Sequence, residues 1–251
     1  MTSLAVPAYW RDVAGPSRSG ARVFRPLAYA LVRGLWEVHV HRPELVPTHG
    51  PVILAANHLG LLDGPLLYAL IRRPVHALIK QEMFSGTLGR LLRGLGQIPV
   101  DRSATDPAAV KACLAVLEGQ GVVAIYPEGN RGRGDFGRIK PGVAYLGMCT
   151  GAPIVPVACL GTRADGRSIE SVPAPRARMD VVFGRPVVLD TLPWPRRRDV
   201  VRAAASRLRD VLAAHVESAT ALTGRALPGP PTDPQPEPGP VVPPRPAEPD
   251  R

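Results

Sequence analysis

The sequence has little of several residue types, and each shortage narrows what the chain can be. Aromatic residues make up 5% of its 251 residues, whereas surfaces that bind nucleic acid ordinarily interleave aromatic with basic side chains. The three cysteines, Cys113, Cys149 and Cys159, stand far apart, which favours neither a paired metal site nor a disulfide framework. We therefore expect a reduced, cytosolic setting, with no bound metal and no nucleic-acid partner.

Long apolar runs are also missing. A spanning helix needs about 20 consecutive apolar residues, and Arg22, Arg25 and Arg33 interrupt the N-terminal segment that comes nearest to this. The N-terminus also lacks the basic start, apolar core and small-residue cleavage site of a secretory signal. The sequence therefore predicts neither a spanning helix nor export.

Lysine is rare, and the positive charge is almost entirely arginine. The chain has 31 basic and 21 acidic residues, and its lysines are Lys80, Lys111 and Lys140. A guanidinium can grip a phosphate through two parallel hydrogen bonds. The excess of arginine therefore favours a phosphate-bearing partner, and net charge leaves open which phosphate that is.

Residues 23–40 combine those arginines with large apolar side chains. The apolar members are Phe24, Leu27, Tyr29, Leu31, Leu35 and Trp36. One interpretation is a helix that lies in a membrane interface with its apolar face among the lipid tails. The other is a helix that packs on the protein's own core.

From residue 51 onward, strand and helix patterns alternate. Short apolar runs predict strands at 52–56, 75–79, 122–126, 154–158 and 179–183. Helical patterns lie at 65–71, 84–95, 107–118, 141–150 and 199–222. This alternation predicts an α/β fold with a central, mostly parallel or mixed sheet flanked by helices. We assign residues 1–44 to an N-terminal arm and interfacial segment, 45–224 to the domain, and 225–251 to a disordered Pro-rich tail.

The strongest local motif lies where an apolar strand ends and a helix begins. His58 and Asp63 are five residues apart there, at the carboxyl end of a strand, where open α/β sheets bind their ligands. An imidazole can take a proton from an alcohol, and a carboxylate on its other nitrogen would fix the tautomer. The substrate's hydroxyl would then be the nucleophile. The alternative is an Asp63 that caps the helix and a His58 that is a polar loop residue.

Two further stretches follow predicted strands. One runs from Gly96 to Arg102, and the other alternates glycine with arginine after residues 122–126. Small residues let a backbone approach a ligand closely, and arginines offer donors to phosphate. Each stretch could equally be a surface turn with solvated charge.

In combination, these stretches resemble the lysophospholipid acyltransferases of the 1-acylglycerol-3-phosphate acyltransferase type. That family has four ordered blocks, and all four have counterparts here in the same order. They are His58 to Asp63, Gly96 to Arg102, Tyr126-Pro127-Glu128-Gly129-Asn130-Arg131, and Ala152-Pro153-Ile154-Val155-Pro156-Val157. The third block departs from the family's usual Phe-Pro-Glu-Gly-Thr-Arg, since Asn130 replaces threonine.

The resemblance implies a glycerol-3-phosphate acyltransferase-like fold and a fatty acyl transfer from acyl-CoA or acyl carrier protein to lysophosphatidic acid, in phospholipid biosynthesis. It implies His58 as general base and Asp63 as its catalytic partner. The residues it implies for substrate binding are Asn57, Arg102, Glu128, Gly129, Arg131 and Pro156. It further implies no bound cofactor, an N-terminal helical segment that docks on the membrane, and a peripheral location at the membrane's cytoplasmic face.

Three alternatives were weighed against this interpretation. The acceptor could be another lysophospholipid or a glycolipid, and a membrane-bound scaffold could keep the blocks without turnover. The condensation-type acyltransferases have His-His-x3-Asp-Gly. Here Asn57 stands in place of the first histidine, and four residues rather than three separate His58 from Asp63. The sequence therefore does not fit that family.

Overall fold

A computed structural model describes residues 15–103, 105–193 and 196–233. Its helices are α1 Arg18–Leu35, α2 Asp63–Leu70, α3 Gly86–Gly94, α4 Pro107–Glu118, α5 Gly142–Thr150 and α6 Arg198–Thr223. Its strands are β1 Glu37–His41, β2 Val52–Ala56, β3 Val75–Lys80, β4 Ile98–Val100, β5 Val122–Ile125, β6 Ile154–Leu160 and β7 Arg178–Phe183. Short 3-10 turns span Pro43–Leu45 and Gln81–Phe84.

The strands form one sheet in the order β1-β7-β6-β2-β5-β3-β4. Strand β6 pairs antiparallel with β7, and the other neighbouring strands pair in parallel. Strands β6, β2, β5 and β3 therefore all end at the same edge of the sheet. Loops that leave this edge meet one another, and the candidate site lies among them.

The central strands are apolar on both faces because helices cover both faces. Every residue of β2, β5 and β6 is buried. Helices α4, α5 and α6 pack on one face of the sheet, and α1 and α2 lie over the other. Continuous apolar runs are what parallel strands with two covered faces require.

The predicted α/β fold with a mixed, helix-flanked sheet is confirmed. Helix α4 has the predicted bounds, and the five predicted strands correspond to β2, β3, β5, β6 and β7. The short strands β1 and β4 were not predicted as strands. The segment at 23–40 proves to be a helix that ends at Leu35, followed by β1 beside β7. The arm predicted over residues 1–44 is therefore too long, because β1 belongs to the sheet.

Helix α1 packs against α2 and leaves much of its apolar surface uncovered. The Tyr68 hydroxyl donates to the Ala21 carbonyl at 3.1 Å, and the Arg25 guanidinium donates to the Ile71 carbonyl. By contrast, Val23, Leu27 and Leu31 are 70%, 67% and 57% exposed. Within the described ranges, no helix is both long and apolar enough to cross a membrane.

The tail predicted from residue 225 is ordered over its first part. The Arg225 guanidinium donates to Asp180 at 3.0 Å, and the Gly229 amide donates to Asp165 at 2.7 Å. Asp233 accepts from the Ser168 hydroxyl and the Ile169 amide at 2.7 and 2.9 Å. The prediction of disorder is therefore wrong for residues 225–233, since these polar groups are satisfied by the domain. Residues 234–251 lie outside the described residues.

One buried carboxylate joins β1, β7 and this segment. Asp180 is fully buried and accepts from Arg178, Arg225 and His41 at 2.9 to 3.0 Å. Burial acts to raise its pKa, but the hydrogen bonds from Arg178, His41 and Arg225 and the charge of Arg178 together hold that pKa below the ordinary value.

Asp180→Ala should lower the free energy of unfolding at pH 7 by about 1–3 kcal/mol, because it removes the shared acceptor of partly exposed cations. A carboxylate whose pKa is lower in the folded than in the unfolded protein stabilises the folded state at pH values above the unfolded pKa. This stabilisation is lost as the pH falls through the folded pKa. The difference from wild type should therefore shrink below about pH 4. Urea unfolding at several pH values measures it, with the exposed Asp210→Ala as control. Equal effects of both substitutions would contradict the assignment.

Candidate active site

A histidine and an aspartate are paired directly after β2. His58 Nδ1 lies 2.8 Å from Asp63 Oδ2, and the histidine side chain is 15% exposed while the aspartate is fully buried. Asp63 begins α2, so the intervening turn brings the two side chains together. With Nδ1 held by the carboxylate, Nε2 is the nitrogen left for a substrate.

Asp63 is surrounded by donors. Its Oδ2 also accepts from the Leu59 and Gly60 amides at 2.7 and 3.0 Å, and its Oδ1 accepts from the Thr162 hydroxyl at 2.5 Å. These contacts compensate a carboxylate for its lost hydration, and they fix its orientation. Asp63 is not the N-cap of α2, as the alternative interpretation had it: Leu62 holds that position, and the Asp63 carboxylate accepts from the preceding turn and from the imidazole instead.

The ring of Tyr126 lies against the imidazole. The centroids of Tyr126 and His58 are 4.1 Å apart with 25° between the planes. Burial raises the pKa of Tyr126 well above its ordinary value, so the side chain is a neutral phenol. Its stacking restricts the imidazole to one plane.

Glu128 holds the backbone of the loop that carries His58. One carboxyl oxygen lies 3.3 Å from the His58 amide, which donates to it. Burial, together with the nearby carboxylates of Asp135 and Asp63, raises the pKa of Glu128 to about 8, although hydrogen bonds from the His58 and Gly134 amides act to lower it. Glu128 therefore retains its proton in much of the population at neutral pH.

Basic side chains meet beside this loop. Arg102 Nη1 donates to the Gly129 carbonyl at 2.7 Å and to Asn130 Oδ1 at 3.2 Å, and Lys140 Nζ donates to the Arg102 carbonyl at 3.1 Å. Burial lowers the pKa of both basic groups; proximity to Arg131 lowers that of Arg102 further, and proximity to Arg102 lowers that of Lys140.

Gly129 makes this arrangement possible. Its φ is +80°, and a Cβ there would lie 2.8 Å from Lys140 Cε. A side chain at this position would therefore be strained and would displace the lysine. Arg131 lies nearby, where its guanidinium pairs with the exposed Glu170 at 2.6 Å.

Asn57 and Pro156 lie deeper than the other predicted site residues. Asn57 is fully buried; its amide nitrogen donates to the Cys159 carbonyl at 3.1 Å, and its oxygen accepts from the Cys159 amide at 2.7 Å. Pro156 lies within β6, opposite Ala55 of β2. Both residues therefore lie in the buried framework of the sheet. By contrast, His58, Glu128 and Arg102 lie in the loops that follow β2, β5 and β4.

An open trough of about 710 Å³ lies beside Asp101, the residue that precedes Arg102. It lies between the 3-10 turn at Gln81–Phe84, β4 and the start of α4. Its lining includes Glu82, Phe84, Ile98, Asp101 and Ala109. Neither His58 nor Asp63 lines the trough.

Comparisons with known proteins agree with this geometry. Residues 37–160 match the family model described as Acyltransferase. This chain carries a domain of the acyltransferase family. The match includes β1 and ends with β6, and it contains the dyad and the basic cluster. The resemblance found in the sequence motifs is thereby confirmed at the level of the family.

Relatives and a solved structure extend the comparison. A Bacillus subtilis protein named 1-acyl-sn-glycerol-3-phosphate acyltransferase is 26% identical over 60% of this chain and 73% of its own length. A protein of the same name from Borreliella burgdorferi is 31% identical over 47% of this chain and 49% of its own length. The crystal structure of the Thermotoga maritima acyltransferase PlsC superposes with a TM-score of 0.57 at 18% identity, covering 81% of this chain and 79% of that one. This last likeness supports the fold.

The acyltransferase domain uses residues that the motifs did not single out. Thr162, which holds Asp63, and Arg163 follow β6, and Lys140 comes from the approach to α5. Thr162 and Arg163 could have been found by extending the strand-end rule to β6. Lys140 had no such marker, since a lone lysine in a turn is usually solvated.

Glu128→Gln should remove one pH dependence of the acyltransferase domain's stability. A carboxyl with a raised folded pKa binds more protons when folded, so its contribution to stability falls as the pH rises from the unfolded pKa of about 4.3 toward 8. Allowing for partial exposure, the gain of the variant over wild type between pH 5 and 8 is on the order of 1–3 kcal/mol. Chemical unfolding across this range measures it, with the exposed Glu217→Gln as control. A pH-independent difference between Glu128→Gln and wild type would refute the prediction.

Proposed function

We propose that this chain transfers a fatty acyl group from an acyl-CoA or acyl carrier protein thioester to the free hydroxyl of 1-acylglycerol-3-phosphate, a step of phospholipid biosynthesis. The observation that carries the proposal is the His58–Asp63 pair, 2.8 Å apart, beside the basic groups Arg102, Lys140 and Arg131. A general base next to a phosphate-binding surface is what acylation of a phosphorylated alcohol requires.

The dyad supplies the base. Asp63 holds Nδ1 of His58, and Nε2 accepts the proton of the acceptor hydroxyl while its oxygen attacks the thioester carbonyl carbon. The tetrahedral intermediate collapses, the carbon–sulfur bond breaks, and the leaving thiolate takes the proton from the imidazolium. An ester and a free thiol result. The step needs only the acyl donor as co-substrate, so we propose no bound cofactor.

The basic cluster supplies the acceptor site. Arg102 and Lys140 are partly buried and carry like charge close together, as the lowered pKa of each indicates. A phosphate between them would offset both the burial and the mutual repulsion. In this arrangement Gly129 lets Lys140 lie against the backbone that faces the phosphate, and Arg131 shares its guanidinium between Glu170 and the ligand. Asn57 and Pro156 act through the framework.

We further propose that the protein works at the cytoplasmic face of the membrane without crossing it. The stripe of Val23, Leu27 and Leu31 on α1 is more than half exposed, and Arg22 on the same helix is exposed to meet lipid phosphates. An apolar stripe with flanking cations is the pattern of an interfacial helix. Both substrates carry acyl chains, so a membrane surface would bring the site to them.

The activity is tested with purified protein, palmitoyl-CoA and a panel of lysophospholipids and glycolipids that includes lysophosphatidic acid, following thiol release and lipid product. His58→Ala should lower turnover roughly 10²- to 10⁴-fold, because the base is lost. The exposed His49→Ala is the matched control and should retain wild-type turnover.

Near-normal turnover by His58→Ala would refute the mechanism. Turnover with another acceptor in place of lysophosphatidic acid would reassign the substrate. Silence with both acyl-CoA and acyl carrier protein thioesters would instead favour a membrane-bound scaffold.

Membrane docking is tested by the double variant Leu27→Ser/Leu31→Ser in sedimentation with phosphatidylglycerol/phosphatidylcholine vesicles. Each buried leucine contributes roughly 1.5–3 kcal/mol, so binding should weaken at least tenfold. Val211→Ser/Leu222→Ser on α6 is the matched control, since these residues are 41% and 48% exposed. Equal binding by the two double variants would place the membrane contact elsewhere.

A further inference from the structure

Arg163 is a buried cation whose guanidinium donates to four main-chain carbonyls. It is 2% exposed. Its Nε donates to Leu59 at 3.0 Å, its Nη2 donates to Gly132 and Gly229 at 2.9 Å each, and its Nη1 donates to Arg167 at 3.2 Å. A planar guanidinium can serve acceptors in several directions at once, which an ammonium cannot do with the same geometry.

Two of these carbonyls belong to the surroundings of the catalytic histidine. Leu59 follows His58 in the chain, and its amide donates to Asp63. The Gly132 amide donates to the His58 carbonyl at 2.8 Å. Arg163 therefore joins the loop that carries the dyad to the glycine- and arginine-rich loop after β5.

The loop after β6 lies too close to the dyad for independent movement. Thr162 donates to Asp63, and Gly60 approaches so closely that a Cβ on it would lie 2.8 Å from the Thr162 carbonyl oxygen. A shift of Arg163 would therefore move the turn between His58 and Asp63.

A third carbonyl that accepts from Arg163 belongs to residues 225–233, which we call the strap. The Gly229 carbonyl accepts from Arg163, and the Gly229 amide donates to Asp165. Further on, Asp233 holds Ser168 and Ile169. The strap is thus tied at two places to the loop that carries Arg163.

Charge favours the same assembly. Burial lowers the pKa of Arg163, and the carboxylates of Asp165, Asp63 and Asp233 oppose that shift. The cation therefore lies between the catalytic carboxylate and a carboxylate of the strap, and each helps to keep it charged where it is buried.

We propose that Arg163 is a positioning residue through which the strap holds the loop 58–63 in its catalytic geometry. The strap is then part of the active-site framework, although it lies more than 160 residues from His58 in the sequence. The effect on catalysis rests on the proposed function, whereas the effect on the loop does not.

Two variants of the full chain test this. Arg163→Lys keeps the charge but cannot reach all four carbonyls, and Asp233→Ala releases the far end of the strap while leaving Arg163 intact. The matched controls are Arg209→Lys and Asp210→Ala, an exposed ion pair on α6. Hydrogen–deuterium exchange of the peptides that contain residues 57–64 and 129–134 is followed by mass spectrometry, together with the unfolding midpoint.

Both variants should exchange faster in these peptides while the peptides of β2 and β5 stay protected, and the controls should match wild type. With acyl-CoA and lysophosphatidic acid, kcat should fall roughly 10²-fold for Arg163→Lys and roughly tenfold for Asp233→Ala, with the acceptor KM within about twofold of wild type. A merely structural residue would instead raise exchange throughout the chain.

Unchanged exchange of both peptides in Asp233→Ala would overturn the role of the strap, and unchanged exchange in Arg163→Lys would overturn the role of the arginine. If wild type has no acyl transfer activity, the proposed function fails, and the exchange experiment still decides the positioning role.

Discussion

The site depends on holding one carboxyl group out of water. Asp63 is fully buried, and an unpaired buried charge would cost several kcal/mol. Four groups share its charge: the amides of Leu59 and Gly60, the Thr162 hydroxyl and the imidazole of His58. The turn, the loop after β6 and the histidine are each held by this common acceptor. A shift in any of them removes a hydrogen bond that burial makes costly to lose, so the geometry of the dyad is coupled to the fold.

The sheet brings these groups to one place. Strands β6, β2 and β5 are neighbours and run parallel, so Thr162, His58 and Glu128, which follow them, leave the same edge. Asn57 reinforces the join, because its side chain pairs with both backbone groups of Cys159. This asparagine links the end of β2 to β6. Its place beside His58 in the sequence serves the position of the histidine.

Local patterns predicted what depends on local interactions. Helix α4 was predicted to the residue because Asp106 caps it, Pro107 opens it and an apolar face follows. Strand β1 was missed because Val38 and Val40 directly follow the apolar residues of α1, although they alternate with Glu37, His39 and His41 in the period-2 pattern of a strand. The His58–Asp63 pair is five residues apart and therefore visible in sequence. The end of β6 could mark Thr162 and Arg163 as candidates. Their contacts with Asp63, Leu59 and Gly229 span 66 to 104 residues, and no local pattern identifies these partners.

The first part of the tail is also ordered by contacts that its sequence alone does not reveal. Its proline-rich composition argues against a packed core, and residues 225–233 indeed form no helix or strand. They are ordered by specific polar contacts with Asp165, Ser168 and Asp180, which composition does not record. Proline lacks an amide hydrogen and glycine loses more backbone entropy on ordering, so a segment rich in both gains little stability from the hydrogen bonds of a helix or strand. Such a segment is therefore ordered only where the domain offers matching donors and acceptors. Arg163 is one such donor, and it binds both Gly229 of this segment and Leu59 in the loop of the proposed base.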